Sequence, residues 1–199
     1  NLTESIKTGK PEGLKVFGDW PTLYPHLPEL PEKTRKSWFA FDHFYSDHAF
    51  DEILPLVFAS NPKSIVDIGG NTGRFSTKCL QHNEDVHVTI MDLPPQLAKA
   101  EQNIAEAGLS DRFHPFPCNM LDPNQVIVQN ADVYWMSQFL DCFSEPQIET
   151  SPPIESSNPE ILTTIPIKQG ENITLHSLES IIYFEAYDNY SFLFDGAEI

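Results

Sequence analysis

Apolar residues in the middle of the chain alternate between two patterns. Short runs rich in β-branched residues predict strands, and longer segments with apolar residues three or four positions apart predict helices. The predicted strands cover residues 64–68, 86–91, 113–116 and 131–136, and the predicted helices cover 73–81 and 94–107, the latter closed by Gly108. Because strands and helices alternate at this spacing, we expect an α/β fold with a Rossmann-like parallel sheet and flanking helices.

The N-terminal third is less regular. Proline and glycine punctuate residues 1–30, which predicts an irregular surface segment, and a helical pattern begins at Pro31. A second helix is predicted from Asp47, with Ser46 as its N-cap and a kink at Pro55. Aromatic residues cluster over positions 38–45. They are explained either by core packing or by a role in the wall of a substrate pocket.

The chain changes character near residue 150. Residues 150–161 are rich in proline, serine and other polar residues, which predicts a linker. Beyond the linker, apolar runs at 181–184 and 190–194 predict strands. We therefore divide the chain into a first domain at 1–149, a linker at 150–161 and a small β-rich tail at 162–199.

Composition and charge restrict the classes of function. The 199 residues include 40% hydrophobic residues, enough for a packed core, and carry a net charge of −17. That charge argues against nucleic-acid and anionic-membrane partners, and no apolar run approaches the roughly 18–20 residues of a membrane span. The three cysteines and scattered histidines predict reduced thiols and no metal site. With Asn as its first residue and no signal peptide, we expect a fragment of a soluble, cytoplasmic protein.

One segment carries the chemistry of a nucleotide site. Asp67-Ile-Gly-Gly-Asn-Thr-Gly73 follows a predicted strand and precedes a predicted helix. Its glycines allow a tight turn and a close approach of a ligand, and the helix offers free N–H groups. About 19 residues after Gly73, Asp92 ends the next predicted strand, where a carboxylate accepts hydrogen bonds from ribose hydroxyls. Together these features indicate a nucleoside-containing cofactor.

The spacing of these residues resembles motif I of class I S-adenosylmethionine-dependent O-methyltransferases, rather than a dinucleotide fingerprint. Met91-Asp92-Leu93-Pro94 resembles the Asp-Leu-Pro of small-molecule O-methyltransferases, and residues 112–121 and 131–145 resemble the family's third and fourth motifs. The stretch 38–43 resembles the family's helical lead-in. The resemblance covers about residues 1–149, so it implies an incomplete methyltransferase fold.

The resemblance implies a cofactor, a reaction and a set of site residues. The cofactor is S-adenosylmethionine, and the reaction is methyl transfer to a small-molecule oxygen acceptor, with activity that truncation could abolish. The resemblance also allows a homodimer of the full-length protein, and it leaves the oligomeric state open. The implied residues are Asp67, Gly69, Gly70 and Gly73 at the turn and the methionine end, Asp92 at the ribose, Leu93, Asn119 and Met120 at the adenine, and Ser137 near the cofactor tail.

One position departs from the family pattern. The fourth motif normally ends in Leu-His-Asp-Trp, where the histidine is the general base, but here the run is Leu140-Asp-Cys-Phe143. Asp141 therefore stands in the catalytic position. An exposed aspartate is a weak base, although burial raises its pKa. The other interpretations are that Asp141 only begins a helix and that transfer depends on proximity or on an ionised substrate.

The tail resembles a different family. Residues 162–199 resemble the opening half of a LytTR DNA-binding domain, which implies the alternative function of a transcriptional regulator. Residues 151–199 carry one lysine against eight acidic residues, and this negative charge opposes DNA binding. An unrelated β-hairpin region is the other interpretation of the tail.

Overall fold

The computed structural model describes residues 2–20 and 22–149, and four strands between residues 164 and 194. The chain divides into two compact units, Asn1–Glu155 and Ser156–Ile199. Within the described residues, no helix combines the length and the apolar character needed to cross a membrane.

The first unit is built on a four-stranded parallel sheet, which confirms the predicted fold class. Its strands are β1 (Ser64–Ile68), β2 (His87–Asp92), β3 (Phe113–Pro117) and β4 (Val133–Met136), in the order β3-β2-β1-β4. Ile68 pairs with Met91 on one side and with Met136 on the other. The carboxyl ends of β1, β2 and β4 therefore lie level with one another at one edge of the sheet.

Among residues 2–20 and 22–149, five α-helices accompany the sheet: α1 (Leu2–Thr8), α2 (Glu32–Val57), α3 (Arg74–His82), α4 (Pro94–Glu106) and α5 (Glu145–Glu149). Short 3₁₀ helices occupy Glu12–Val16, Tyr24–Glu29, Phe58–Ser60, Ser110–Arg112 and Leu140–Cys142. The α4 helix ends just before Gly108, whose positive φ of 71° fits the predicted C-terminal cap.

The prediction of a separate helix from Asp47 is wrong, because α2 continues without interruption through Ser46 and Asp47. No proline or glycine lies between residues 32 and 54, so nothing in the local sequence stops the helix. Pro55 lies in the last turn. Asp47 instead accepts a hydrogen bond from Nε of Arg74 at 2.9 Å, which links α2 to α3.

Both faces of the sheet are buried, as is usual for parallel sheets. On one face, Ile65, Val88 and Ile90 pack with apolar residues of α2, α3 and α4. On the other face, Val66, Ile68 and Met91 pack with the N-terminal segment and with the chain after β4. The N-terminal segment therefore belongs to the core of the first unit and reaches the edge where the strands end.

The described residues of the tail form two antiparallel strand pairs, in agreement with its predicted β-rich character. β5 (Thr164–Gln169) pairs with β6 (Asn172–Ser177), and β7 (Tyr183–Tyr187) pairs with β8 (Tyr190–Phe194). The predicted strand at 190–194 matches β8, whereas β7 begins within the other predicted strand and extends beyond it. Residues 181–182 and the predicted linker at 150–161 lie outside the described residues.

Candidate functional site

Two adjoining cavities open at the carboxyl edge of the sheet. The smaller encloses about 390 Å³ and the larger about 730 Å³, including their open mouths. Their linings share Gly69, Asn71, Ser137 and Gln138. Asp67 and Gly70 line only the smaller cavity, and Asp92 lines only the larger one. The structure therefore brings five of the predicted site residues, Asp67, Gly69, Gly70, Asp92 and Ser137, around one divided cleft.

The turn after β1 depends on its glycines. Gly69 has a φ of 72°, and its N–H donates to the carbonyl of Met91 at 2.9 Å. A Cβ at Gly69 would overlap the ring of Phe139, and a Cβ at Gly70 would lie 2.7 Å from Oδ2 of Asp67. The backbone at Gly69 and Gly70, which we call the cradle, therefore packs too closely against Phe139 and Asp67 to accept a side chain.

Gly73 has a different role from the first two glycines. It has a φ of 76° at the N-terminus of α3, and a Cβ there would lie 3.2 Å from side-chain atoms of Ala100 and Ile104. Gly73 lines neither of the two cavities. It allows α4 to approach the turn closely.

Asp67 is buried at the base of the smaller cavity. Its Oδ2 accepts a hydrogen bond from the hydroxyl of Ser76 at 2.6 Å. Burial raises the pKa of Asp67 to about 7, the Ser76 hydrogen bond opposes that rise, and the nearby Asp92 carboxylate adds to it. Asp67 therefore changes charge near neutral pH.

Asp92 ends β2 and is also buried. Its Oδ2 accepts the N–H of Asn71 at 2.8 Å, and its Oδ1 accepts the N–H of Leu93 at 2.7 Å. Burial raises the pKa of Asp92 to about 6, and these backbone hydrogen bonds oppose the rise. Because a carboxylate has about four acceptor positions, each oxygen can accept a further hydrogen bond from a ligand.

Two non-glycine residues with positive φ lie where the cavities meet. Asn71 has a φ of 50° and Gln138 a φ of 49°. Left-handed backbone is rare outside glycine, and such strain gathers at ligand sites. The sequence prediction missed both residues as parts of the site. For Asn71 a signal was available, because asparagine tolerates this conformation and lies inside the glycine-rich turn, whereas nothing in the local sequence marks Gln138.

The remaining predicted cofactor residues lie on neighbouring loops and line neither cavity. Leu93 is half-buried and packs in the same apolar cluster as Met120, which is 5% exposed. Asn119 is exposed, and its Oδ1 accepts the N–H of Leu121 at 3.1 Å. The Cys118 N–H donates to the carbonyl of Asp92 at 2.9 Å, so this loop starts beside the end of β2.

Asp141 lies in the 3₁₀ helix Leu140–Cys142. In the chain it falls between Phe139 and Cys142, and both of these residues line the larger cavity. Its side chain lies outside the described part of the structure. The catalytic role of Asp141 therefore stays a prediction.

Aromatic residues also line the larger cavity, and two of them, Tyr24 and Phe139, were not assigned to the site from the sequence. The other two are Trp38 and Phe41 of α2. The hydroxyl of Thr22 donates to the carbonyl of Cys142 at 3.0 Å and joins the N-terminal segment to the chain after β4. Trp38 and Phe41 fit the pocket-wall interpretation of the aromatic cluster, since both are exposed at the cavity mouth.

The chain matches a protein-family model and several curated proteins. The model of the O-methyltransferase domain family matches residues 30–150. The chain is 30% identical over 121 residues to the L-tyrosine C(3)-methyltransferase of Streptomyces lavendulae, covering 60% of this chain and 33% of that protein. It is 34% identical over 116 residues to the N,N-dimethyltransferase OxyT of Streptomyces rimosus, covering 57% and 33%.

A solved structure has the same fold. The structure of PigF with SAH superimposes with a TM-score of 0.62 and 16% identity, covering 75% of this chain and 44% of that one. The chain spans about a third of the length of the two curated relatives that it matches.

Proposed function

Because the chain belongs to the O-methyltransferase domain family, we propose that its first unit binds S-adenosylmethionine and supports methyl transfer to a small-molecule oxygen acceptor. The observation that carries this proposal is the pairing of a glycine cradle with a buried acidic residue at the end of the next strand. Gly69 and Asp92 lie at the carboxyl edge of a parallel sheet, where such sheets bind ligands.

The residues present fit an S-adenosyl group. Gly69 and Gly70 line the smaller cavity and carry no side chain, so a ligand in that cavity can approach the backbone of the cradle. Asp92 is held by two backbone N–H groups and keeps acceptor capacity toward the larger cavity. A sugar diol, which carries two hydroxyl donors, suits that acceptor pair.

We assign roles to the predicted residues that line the cleft and to those on the turn and loops beside it. Asp67, Gly69 and Gly70 contact the methionine end, Gly73 sets the start of α3, and Ser137 lies near the cofactor tail. Asp92 holds the ribose, and Leu93, Asn119 and Met120 surround the adenine. When bound, the cofactor supplies an electrophilic methyl group on a positively charged sulfur. The protein's part is to hold that group and to exclude water from it.

Asp141 is the proposed proton acceptor for the hydroxyl of the methyl acceptor. Its support is its position, since it takes the place of the family's histidine on the chain segment between two residues that line the larger cavity. A carboxylate is a weaker base than imidazole, so this assignment favours an acceptor with an acidic hydroxyl. The relatives named above methylate carbon or nitrogen, so the choice of oxygen comes from the family resemblance.

The LytTR interpretation of the tail stays a prediction. The family match ends at residue 150, and the described part of the structure contains nothing that favours DNA binding. The acidity of residues 151–199 continues to oppose it.

The test is calorimetric titration of the purified chain with S-adenosylhomocysteine. Replacing Asp92 by alanine should weaken binding at least tenfold, because hydrogen bonds to a charged acceptor contribute about 1.5–3 kcal/mol. Asp111→Ala is the matched control, since Asp111 is an exposed residue of the 3₁₀ helix Ser110–Arg112 and loses the same charge. A folded Asp92→Ala variant with wild-type affinity would reject Asp92 as the ribose ligand.

A further inference from the structure

The larger cavity contains two buried polar atoms that make no hydrogen bond to any residue that the structure describes. They are Oη of Tyr24 and Oε1 of Gln96. Tyr24 is 5% exposed and Gln96 is 6% exposed, so bulk water reaches neither side chain freely. Buried polar groups are nearly always hydrogen-bonded, because an unsatisfied one costs stability. These two atoms therefore indicate a missing partner in the cavity.

Packing fixes the Tyr24 side chain in this position. Its ring makes edge-on contacts with Phe139 at 5.5 Å and with Phe143 at 5.1 Å between ring centroids. The Thr22–Cys142 hydrogen bond holds the preceding residues of the N-terminal segment. The Tyr24 hydroxyl therefore cannot reach solvent without disturbing the apolar residues that pack with Val66, Ile68 and Met91 on that face of the sheet.

Gln96 departs from the pattern of its own helix. It lies in the first turn of α4, where its N–H donates to the carbonyl of Leu93 at 3.0 Å. The other buried residues of α4 are Leu97, Ala100 and Ile104, all apolar. An apolar side chain at position 96 would continue this stripe without the cost of desolvating an amide. A local conflict of this kind is expected where a residue serves a ligand.

Asp92 provides the third polar group of the same cavity. Burial and the Asp92 carboxylate raise the pKa of Tyr24, so the phenol stays protonated and can donate a hydrogen bond. The two groups are close enough to influence each other's pKa, but they form no hydrogen bond of normal geometry. The cavity therefore presents carboxylate and amide acceptors together with one hydroxyl that both donates and accepts.

We propose that Tyr24 and Gln96, together with Asp92, bind the ribose hydroxyls of the S-adenosyl cofactor. A vicinal diol has two O–H donors and free lone pairs, which match the acceptors of Asp92 and Gln96 and the donor of Tyr24. The inference rests on the proposed function and adds two residues to the binding site. It also explains why an amide interrupts the apolar stripe of α4.

The test compares two variants with two matched controls in calorimetric titrations of the whole chain with S-adenosylhomocysteine. Tyr24→Phe and Gln96→Leu should each weaken binding about three- to tenfold, the range expected for one neutral hydrogen bond. Without ligand, their unfolding midpoints should equal or exceed that of the wild type, because each variant removes an unsatisfied buried group.

The controls make the same chemical changes away from the cavity. Tyr134→Phe removes a hydroxyl that donates to the carbonyl of Val128 at 3.0 Å, and Gln102→Leu changes an exposed residue of α4. Both should bind S-adenosylhomocysteine as the wild type does. Gln96→Met, which keeps an unbranched side chain, replaces Gln96→Leu if the latter does not fold.

A second ligand identifies the group that is bound. The analogue of S-adenosylhomocysteine without its two ribose hydroxyls should bind Tyr24→Phe and Gln96→Leu as tightly as it binds the wild type. Wild-type affinity of the variants for S-adenosylhomocysteine, or equal losses for both ligands, would overturn the inference. If the wild type binds S-adenosylhomocysteine and only Asp92→Ala weakens it, this inference fails alone. If the wild type does not bind, the proposed function fails with it.

Discussion

Two buried carboxylates, Asp67 and Asp92, lie at the ends of neighbouring strands and have raised pKa values. Burial is the main cause in both cases, and Asp92 adds a repulsive contribution at Asp67. A buried charge without a cation partner is unfavourable to folding. These two residues therefore reduce the stability of the ligand-free fold near neutral pH, which is a common property of binding sites.

The variant Asp67→Asn tests whether the Asp67 carboxylate lowers stability, because it should change how the free energy of unfolding depends on pH. Since folding raises the pKa of Asp67 to about 7, the native state keeps a proton that the unfolded chain loses near its ordinary value of 3.8. The free energy of unfolding should therefore fall as pH rises from about 4 to about 7, and this contribution should level off above that range. Between pH 5 and pH 8 the free energy of unfolding of the wild type should fall by about 2–3 kcal/mol more than that of Asp67→Asn.

The measurement is urea denaturation of both proteins at several pH values. Asp111→Asn, which removes an exposed charge, should show the same pH dependence as the wild type. Parallel curves for the wild type and Asp67→Asn would mean that Asp67 is already ionised at pH 5 in the folded protein.

At the level of elements, hydrophobic patterning predicted the sheet and its flanking helices well, because the two central strands, β1 and β2, are short and mostly buried apolar runs between turns. The boundary at Ser46 was wrong because a good N-cap residue also occurs inside helices, and only a breaker such as proline would have ended α2 there. Among the site residues, Asp67, Gly69 and Asp92 were predictable from their places at strand ends. Tyr24 was not, since the N-terminal segment reaches the cavity only through tertiary packing.

The turn after β1 supplies a prediction with an internal control. Gly69 and Gly108 have nearly equal φ values of 72° and 71°. A Cβ at Gly69 would overlap Phe139, whereas a Cβ at Gly108 would meet no atom of the described residues within 4 Å. Gly108→Ala should therefore cost only the left-handed strain, about 1–2 kcal/mol. Gly69→Ala should cost about 1–3 kcal/mol more through steric overlap.

Equilibrium unfolding in urea gives both free energies, and S-adenosylhomocysteine titration should show a loss of affinity for Gly69→Ala alone. Equal destabilisation by the two substitutions would show that Phe139 moves away without cost. The turn at Gly69 would then have more room for a Cβ than the structure indicates.

At the level of the whole molecule, the chain divides into two compact units after Glu155, a few residues beyond the end of the family match. The first unit holds the candidate site and its two core clusters, and the second contains the paired strands β5–β6 and β7–β8. The match covers about a third of each of the two curated relatives named above, and the first unit contains the elements around the proposed cofactor residues. Cofactor binding is therefore the activity to measure before methyl transfer.

Limited proteolysis tests the proposed division of the chain. Residues 150–163 are rich in proline and serine and contain few apolar side chains, a composition in which proteases usually find their first sites. Brief digestion should cut first between Thr150 and Thr163 and leave an N-terminal fragment of about 150 residues, with its mass checked by mass spectrometry. Because every proposed cofactor residue precedes residue 150, the fragment should bind S-adenosylhomocysteine as tightly as the whole chain does. First cuts inside residues 60–140, or loss of binding on removal of the tail, would show that the two units depend on each other for folding.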